Sequence, residues 1–140
     1  MAFLVDTNVL LEPMRAKPDR NVVSWLENHE SDLFVSAVSI GEIRFGIVRL
    51  PKGKRKERFE KWFEDLCHIF QDKMLAYDAA IATRWGDIQA KQEAIGRRIP
   101  IADGMIAATA TLYEFKVATG NVKDFKSCGV EVVNPFKPRQ

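Results

Sequence analysis

Short apolar runs alternate with stretches of helical period along this chain of 140 residues, and the first run ends abruptly in a carboxylate. Phe3-Leu4-Val5 leads straight into Asp6-Thr7-Asn8, and then into Val9-Leu10-Leu11. Apolar runs without internal alternation fit strands buried on both faces, and alternation of such strands with helices predicts an α/β domain with a mostly parallel central sheet. Strands are expected at 2–6, 32–35, 73–76, 116–119 and 131–133. An acid closing the first strand stands where open α/β sheets keep their ligand crevices, outside the carboxyl ends of the strands.

Between the strands the spacing predicts helices. One opens at Pro18-Asp19, carries Val22, Val23 and Leu26, and ends near Asn28. Another begins at Ser39 and runs through Ile43, Ile47 and Leu50 until Pro51 stops it. Phe59, Trp62, Phe63, Leu66 and Phe70 form the apolar stripe of an amphipathic helix over 54–70. Asp78 caps the helix holding Ile81, Trp85, Ile88 and Ile95. After Pro100 the small-residue-rich segment 103–113 forms the last long helix. No break in composition divides the chain, so residues 1–140 read as one domain, long enough to bury a core.

Charge and cysteine usage set limits. Lys and Arg number 21 against 19 Asp and Glu, a net +2, so bulk electrostatics does not mark a nucleic-acid binder. Cys67 and Cys128 fit no metal-binding spacing, and with no leader segment ahead of them they read as reduced thiols of a cytoplasmic protein. No apolar run approaches the ~18–20 residues needed to span a bilayer, so no membrane association is expected.

Three more acids stand in settings like that of Asp6: Glu42, Asp103 and Asp124. Each has an ordinary explanation. Asp6 can cap a helix at Thr7, Ser39-x-x-Glu42 has the capping-box pattern, Asp103 suits a first helical turn, and Asp124 can cap a short turn. Yet parallel topology brings three of these element starts to one edge of the sheet. Carboxylates within ~4–6 Å raise one another's pKa, and a cation relieves the repulsion. Oxygen ligands without paired His or Cys point to Mg²⁺ or Mn²⁺.

The segments Leu4-Val5-Asp6-Thr7-Asn8, Ser39-Ile40-Gly41-Glu42-Ile43, Ile101-Ala102-Asp103-Gly104-Met105-Ile106-Ala107 and Val117-Ala118-Thr119-Gly120-Asn121-Val122-Lys123-Asp124-Phe125, followed by Val130 to Phe136, resemble PIN domains. The likeness covers nearly the whole chain and is nearest the VapC toxins, especially their FitB-like branch. It implies a Rossmann-like α/β/α sandwich and a metal-dependent endoribonuclease that acts as the toxin of a toxin–antitoxin pair. By that resemblance Asp6, Glu42 and Asp103 hold Mg²⁺ or Mn²⁺, and Asn121 occupies the fourth catalytic position with Asp124 three residues on. Thr7, Asn8 and Thr119 orient the carboxylates or a metal-bound water.

The same resemblance implies a VapB-like antitoxin that lays a segment over the helices and sends a basic side chain into the acidic pocket. It also implies an RNA substrate, tRNA or mRNA, and a homodimer. Lys54 and Arg55, in the basic stretch that opens the 54–70 helix, and Arg97-Arg98 ahead of Asp103 are candidate RNA contacts. Two other functions compete. A non-catalytic PIN-like module that binds protein or RNA would explain an amide at position 121. A haloacid-dehalogenase-type phosphatase also begins with an acid after its first strand, but that family wants Asp-x-Asp where this chain has Asn8.

Overall fold

The computed structural model describes residues 1–136. The order is β1 (Phe3–Val5), α1 (Thr7–Leu11), α2 (Arg20–Asn28), β2 (Leu33–Ser36), α3 (Ala37–Val48), α4 (Lys54–Ile69), β3 (Met74–Leu75), α5 (Ala79–Ala94), α6 (Ile101–Tyr113), β4 (Lys116–Ala118), α7 (Val122–Ser127) and β5 (Val132–Val133). The strands pair in the order β3-β2-β1-β4-β5, every pair parallel. The five strands lie within two residues of their expected bounds.

The period of two along a strand sorts the core into two layers. Phe3 and Val5 of β1 join one cluster with Val22 and Trp25 of α2, Ile43 and Ile47 of α3, and Leu66 of α4. Leu4, between them, faces the other way, into a cluster with Ile106, Ala107 and Ala110 of α6 and Phe125 of α7. On β4 the same alternation puts Val117 in the second cluster and Ala118 in the first. Both faces are therefore covered, and the layers are helix, sheet, helix. Ala107, Ala108 and Ala110 of α6 are fully buried, which lets that helix lie close on the sheet.

Two chain starts differ from expectation, and both matter to the site. Helix α3 begins at Ala37, not Ser39, because Ser36 at the end of β2 is its cap and accepts from the Val38 N–H at 3.0 Å. Ser39 is therefore inside the helix and buried, and the Ser39–Glu42 capping box does not form. A short helix, α7, stands where only a turn was expected. Asp78 does cap α5, accepting from the Ile81 N–H at 2.9 Å.

Strand order turns outward from β1: the chain fills β2 and β3 on one side, then returns to fill β4 and β5 on the other. The switch point lies between β1 and β4. There the carboxyl ends of two neighbouring strands diverge into different crossovers and leave a crevice. Register places Val5 beside Ala118, so the next residues, Asp6 and Thr119, meet at that crevice.

Candidate active site

Asp6 sits at the switch point, 3% exposed, with its own N–H donating to the Ala118 carbonyl at 2.9 Å. Every lone pair it turns inward is used. Oδ1 accepts from the Thr7 N–H at 2.8 Å, which caps α1, while Oδ2 accepts from the Thr119 hydroxyl at 2.7 Å and the Asn8 amide at 3.2 Å. The capping role and a place in the crevice are thus compatible. Asn8 also accepts from the Gly120 N–H at 3.2 Å, which ties the loop after β4 to the loop after β1.

The other acids arrive from three helices. Glu42 lies one turn and a half into α3, exposed, with Oε1 accepting from the Thr7 hydroxyl at 2.7 Å. Asp103 occupies the first turn of α6, and its Oδ2 accepts from the Asn121 amide at 2.7 Å. The same amide nitrogen donates to Asp124 Oδ2 at 2.9 Å. Asn121 and Asp124 therefore both face the crevice, with the amide bridging two carboxylates. Asn121 is itself held by its N–H on the Thr119 hydroxyl at 2.9 Å, so Thr119 links Asp6 to the Asn121 loop.

The electrostatics express this crowding. Burial, and then the charge of Glu42, raises the Asp6 carboxyl above its ordinary range against the pull of Thr119, Thr7 and Asn8. Burial and then Asp6 push Asp103 up to about 6, with Asp124 and Glu42 adding to the rise and the Asn121 amide opposing it. Among the described residues no Lys or Arg forms an ion pair with any of the four acids. A compact acidic crevice without a protein cation is suited to an added one.

The donor set bears on which kind would fit. All donors are oxygens, a set that suits Mg²⁺ or Mn²⁺ better than zinc. Among the described residues no three His, Cys, Asp or Glu side chains are grouped closely enough to enclose an ion by themselves. Glu42 and Asp103 feel each other's charge, yet Thr7 and Asn121 hold one oxygen of each. The arrangement therefore fits an ion that takes one or two carboxylates and keeps several waters, as Mg²⁺ does.

Raised affinity of Asp103 for its proton carries a sign for stability. The folded chain binds that proton more tightly than the unfolded chain, whose carboxyl titrates near 3.8. Folding stability from this group is therefore present at low pH and lost as pH rises through about 6. In EDTA, the wild type is expected to lose stability relative to Asp103→Asn between these pH values, and to be the less stable of the two above them. Denaturant melts across that range check this. A difference between the two proteins that stays constant with pH would contradict it.

Of the candidate RNA contacts, Arg55 lines a groove that opens onto the site, whereas Lys54, Arg97 and Arg98 are exposed away from its lining. No histidine reaches the crevice: His29 stacks on Trp25 with ring centroids 4.4 Å apart, and His68 lies exposed on α4. Glu12 is a further acid only 3% exposed, for which the sequence carries no signal. It accepts from the Asp19 N–H at 2.8 Å and pins the turn ahead of α2, and its neighbours Leu11 and Pro13 gave no sign of burial.

Comparison with known proteins identifies relatives of the chain and of its fold. The family profile described as PIN domain matches residues 3–129. A VapC ribonuclease (Y4jK) of Sinorhizobium fredii is 34% identical over 138 residues, covering 97% of this chain and 99% of the relative. Toxin FitB of Neisseria gonorrhoeae is 35% identical over 136 residues, covering 96% and 98%. Among solved structures, that of FitAB bound to an IR36 DNA fragment superposes with a TM-score of 0.91 at 34% identity, covering 99% of this chain and 98% of the other.

Proposed function

The chain belongs to the PIN-domain family, and on that premise we propose that it is an endoribonuclease acting as the toxin of a toxin–antitoxin pair, dependent on Mg²⁺ or Mn²⁺. The observation that carries the reading is the convergence of Asp6, Glu42, Asp103 and Asp124 on one crevice with no cationic partner among the described residues. Of Asp6, Glu42 and Asp103, one or two would hold the ion directly and the rest through its waters. When bound, it lowers the pKa of its water and polarises the scissile phosphate.

The chain's own residues supply order. Thr119 and Asn8 fix Oδ2 of Asp6, and Thr7 fixes Glu42. Asn121 holds Asp103 against Asp124 and lowers the charge that a fifth acid would add. Such fixed ligands need no reorganisation as charge builds on the phosphate. Without a histidine in the crevice, proton traffic falls to the carboxylates and water.

A VapB-like antitoxin is the proposed partner, as in the FitAB complexes to which the fold is similar. Its basic side chain would compete with the ion for the acidic crevice. Phe45 and Val48 on α3 are 63% and 53% exposed, apolar surface suited to that partner or to a homodimer. No helix among the described residues is long and apolar enough to cross a membrane, and a cytoplasmic site of action is part of the proposal.

Induced expression tests the toxin reading. Wild type is expected to halt methionine incorporation, while Glu42→Gln, whose amide oxygen still accepts from Thr7, leaves synthesis near normal. Arrest by both proteins would overturn the catalytic basis. Arrest by neither, at equal protein levels, would favour the non-catalytic binding module.

A further inference from the structure

Two inward-facing glutamines on α5 hold the chain on either side of the Asp103–Asp124 pair. Gln89 and Gln92 stand three residues apart and so share one face of the helix. The Gln89 amide donates to the Ile99 carbonyl at 3.2 Å, two residues ahead of α6. The Gln92 amide donates to the Ser127 carbonyl at 2.7 Å, at the last residue of α7. Helix α6 carries Asp103 in its first turn, and α7 carries Asp124 in its own. One helix outside the crevice therefore grips both helices that bring in these acids.

Contact is tight at Gly104, the residue after Asp103. A Cβ there would lie 2.7 Å from Gln89 Oε1 and 3.1 Å from the Trp85 indole, so glycine lets α6 seat on α5. Packing alone does not explain the glutamines. Oε1 of each is buried with no donor among the described residues. A buried acceptor without a donor costs more than one amide hydrogen bond returns, and methionine would fill the same space without that loss. What the amide adds is direction, since a hydrogen bond fixes distance and angle where apolar contact allows sliding. Neither α6 nor α7 has a side-chain cap at its N-terminus, so their first turns lack that anchor of their own.

We infer, building on the ribonuclease reading, that Gln89 and Gln92 are positioning residues: through them α5 sets the spacing of α6 and α7, so that the Asn121 amide spans Asp103 and Asp124 and orients both carboxylates toward the metal. The span is narrow. One nitrogen donates to Asp103 at 2.7 Å and to Asp124 at 2.9 Å. A slip of either helix by about 1 Å takes one of these contacts out of hydrogen-bond reach. Neither glutamine touches the reacting groups.

The test uses Gln89→Met/Gln92→Met in the full chain, beside Ile81→Val, which loosens a buried contact of α5 without touching either carbonyl. Three quantities are read: the thermal melt, the Asn121 side-chain amide signals in metal-free proton–nitrogen correlation spectra, and Mn²⁺ binding by electron paramagnetic resonance. The Asn121 signals are assigned by their loss in Asn121→Asp. Both variants are expected to melt a few degrees below wild type. Only the methionine pair shifts the Asn121 signals, and only it weakens Mn²⁺ binding, by about tenfold, the lower end for groups that orient metal ligands. In cleavage assays it lowers kcat with little change in KM. Gly104→Ala, which pushes α6 off α5, repeats the pattern. Each single methionine variant shows part of it, and these carry the test if the pair does not fold.

Unmoved Asn121 signals in the folded methionine variants would overturn the positioning role, whatever the metal does. Equal weakening of Mn²⁺ binding by Ile81→Val would overturn it too, by making the effect one of stability alone. So would a rise in KM at constant kcat and Mn²⁺ affinity. Shifted Asn121 signals in a protein that neither binds Mn²⁺ nor cleaves RNA would uphold the spacing role of α5 and refute the ribonuclease reading.

Discussion

Asp6→Asn is expected to lower RNA cleavage by about 10³-fold or more while the protein stays folded. The substitution is nearly isosteric. The amide oxygen can still accept from the Thr7 N–H and so keeps the cap of α1, worth about 1 kcal/mol. The new amide nitrogen faces the Thr119 hydroxyl, which already accepts from the Asn121 N–H, and the Asn8 amide loses its acceptor on residue 6 and keeps only its longer contact to that hydroxyl at 3.4 Å. That loss of about 1 kcal/mol is offset by removal of a charge that burial already disfavours. Melting is therefore expected to move by only a few degrees.

The catalytic loss has a different scale. A carboxylate that holds an ion supports several kcal/mol of stabilisation of the developing phosphoryl charge, and about 1.4 kcal/mol is a factor of ten in rate. Kinetics of purified protein, set beside its thermal melt, separate the two effects. Activity within tenfold of wild type would remove Asp6 from the metal site. A melt lowered as far as that of a core variant would make the activity loss uninformative about metal, and Glu42→Gln on the exposed side of the crevice would then carry the test.

Phe125→Ala is expected to be the most damaging single change for stability. Phe125 is the largest fully buried side chain, and it anchors α7 in the cluster of Leu4, Ile106, Ala107, Ala110, Val117 and Val130. Truncation loses transfer free energy and leaves a cavity that a sheet packed on α6 cannot close, at a cost of about 3–5 kcal/mol. For a domain of this size that lowers Tm by roughly 10–20 °C. The total stability of a domain is only about 5–15 kcal/mol, so the variant approaches the point of unfolding at growth temperature. Asp124 and Asn121 flank this anchor, so the surviving folded fraction should also bind metal less well. Calorimetric melts check the claim. A drop of less than about 4 °C would mean that α7 contributes little to the core.

How much of this was legible in the sequence depends on how local each feature is. Asp6 was legible because Phe3-Leu4-Val5 is apolar without alternation, which forces a strand buried on both faces and puts the next residue at its end. The register that brings Thr119 to Asp6 follows from parallel pairing of β1 with β4, and the pattern of short runs already implied such a sheet. Glu42 was read with its rival pattern. Ser39-x-x-Glu42 has the spacing of a capping box, but Ser36 ends β2 and takes the capping role, leaving Glu42 free to turn to Thr7.

What stayed hidden depended on tertiary placement. Nothing in Thr-Gly-Asn-Val-Lys-Asp shows that one amide nitrogen will bridge Asp103 and Asp124, because α6 has to arrive from another part of the chain. The dense basic stretch from Lys52 to Lys61 could not be divided between groove and solvent until α4 was placed. Its helical period then sets Arg55, Arg58 and Phe59 on one face, toward the groove, and leaves Lys54 outside it. Which apolar residues of α3 are core depended on its placement too: the helix turns Ile43 and Ile47 inward and leaves Phe45 and Val48 in solvent.

The central claim is a metal-dependent ribonuclease built on these acids. It is tested most directly by RNA cleavage with purified protein after chelation and dialysis, with and without restored Mg²⁺ or Mn²⁺, beside Asp103→Asn under the same conditions. The account predicts no cleavage in EDTA, recovery on adding either ion, and no recovery in the variant. Cleavage that persists in EDTA, or that Asp103→Asn performs as well as wild type, would contradict it.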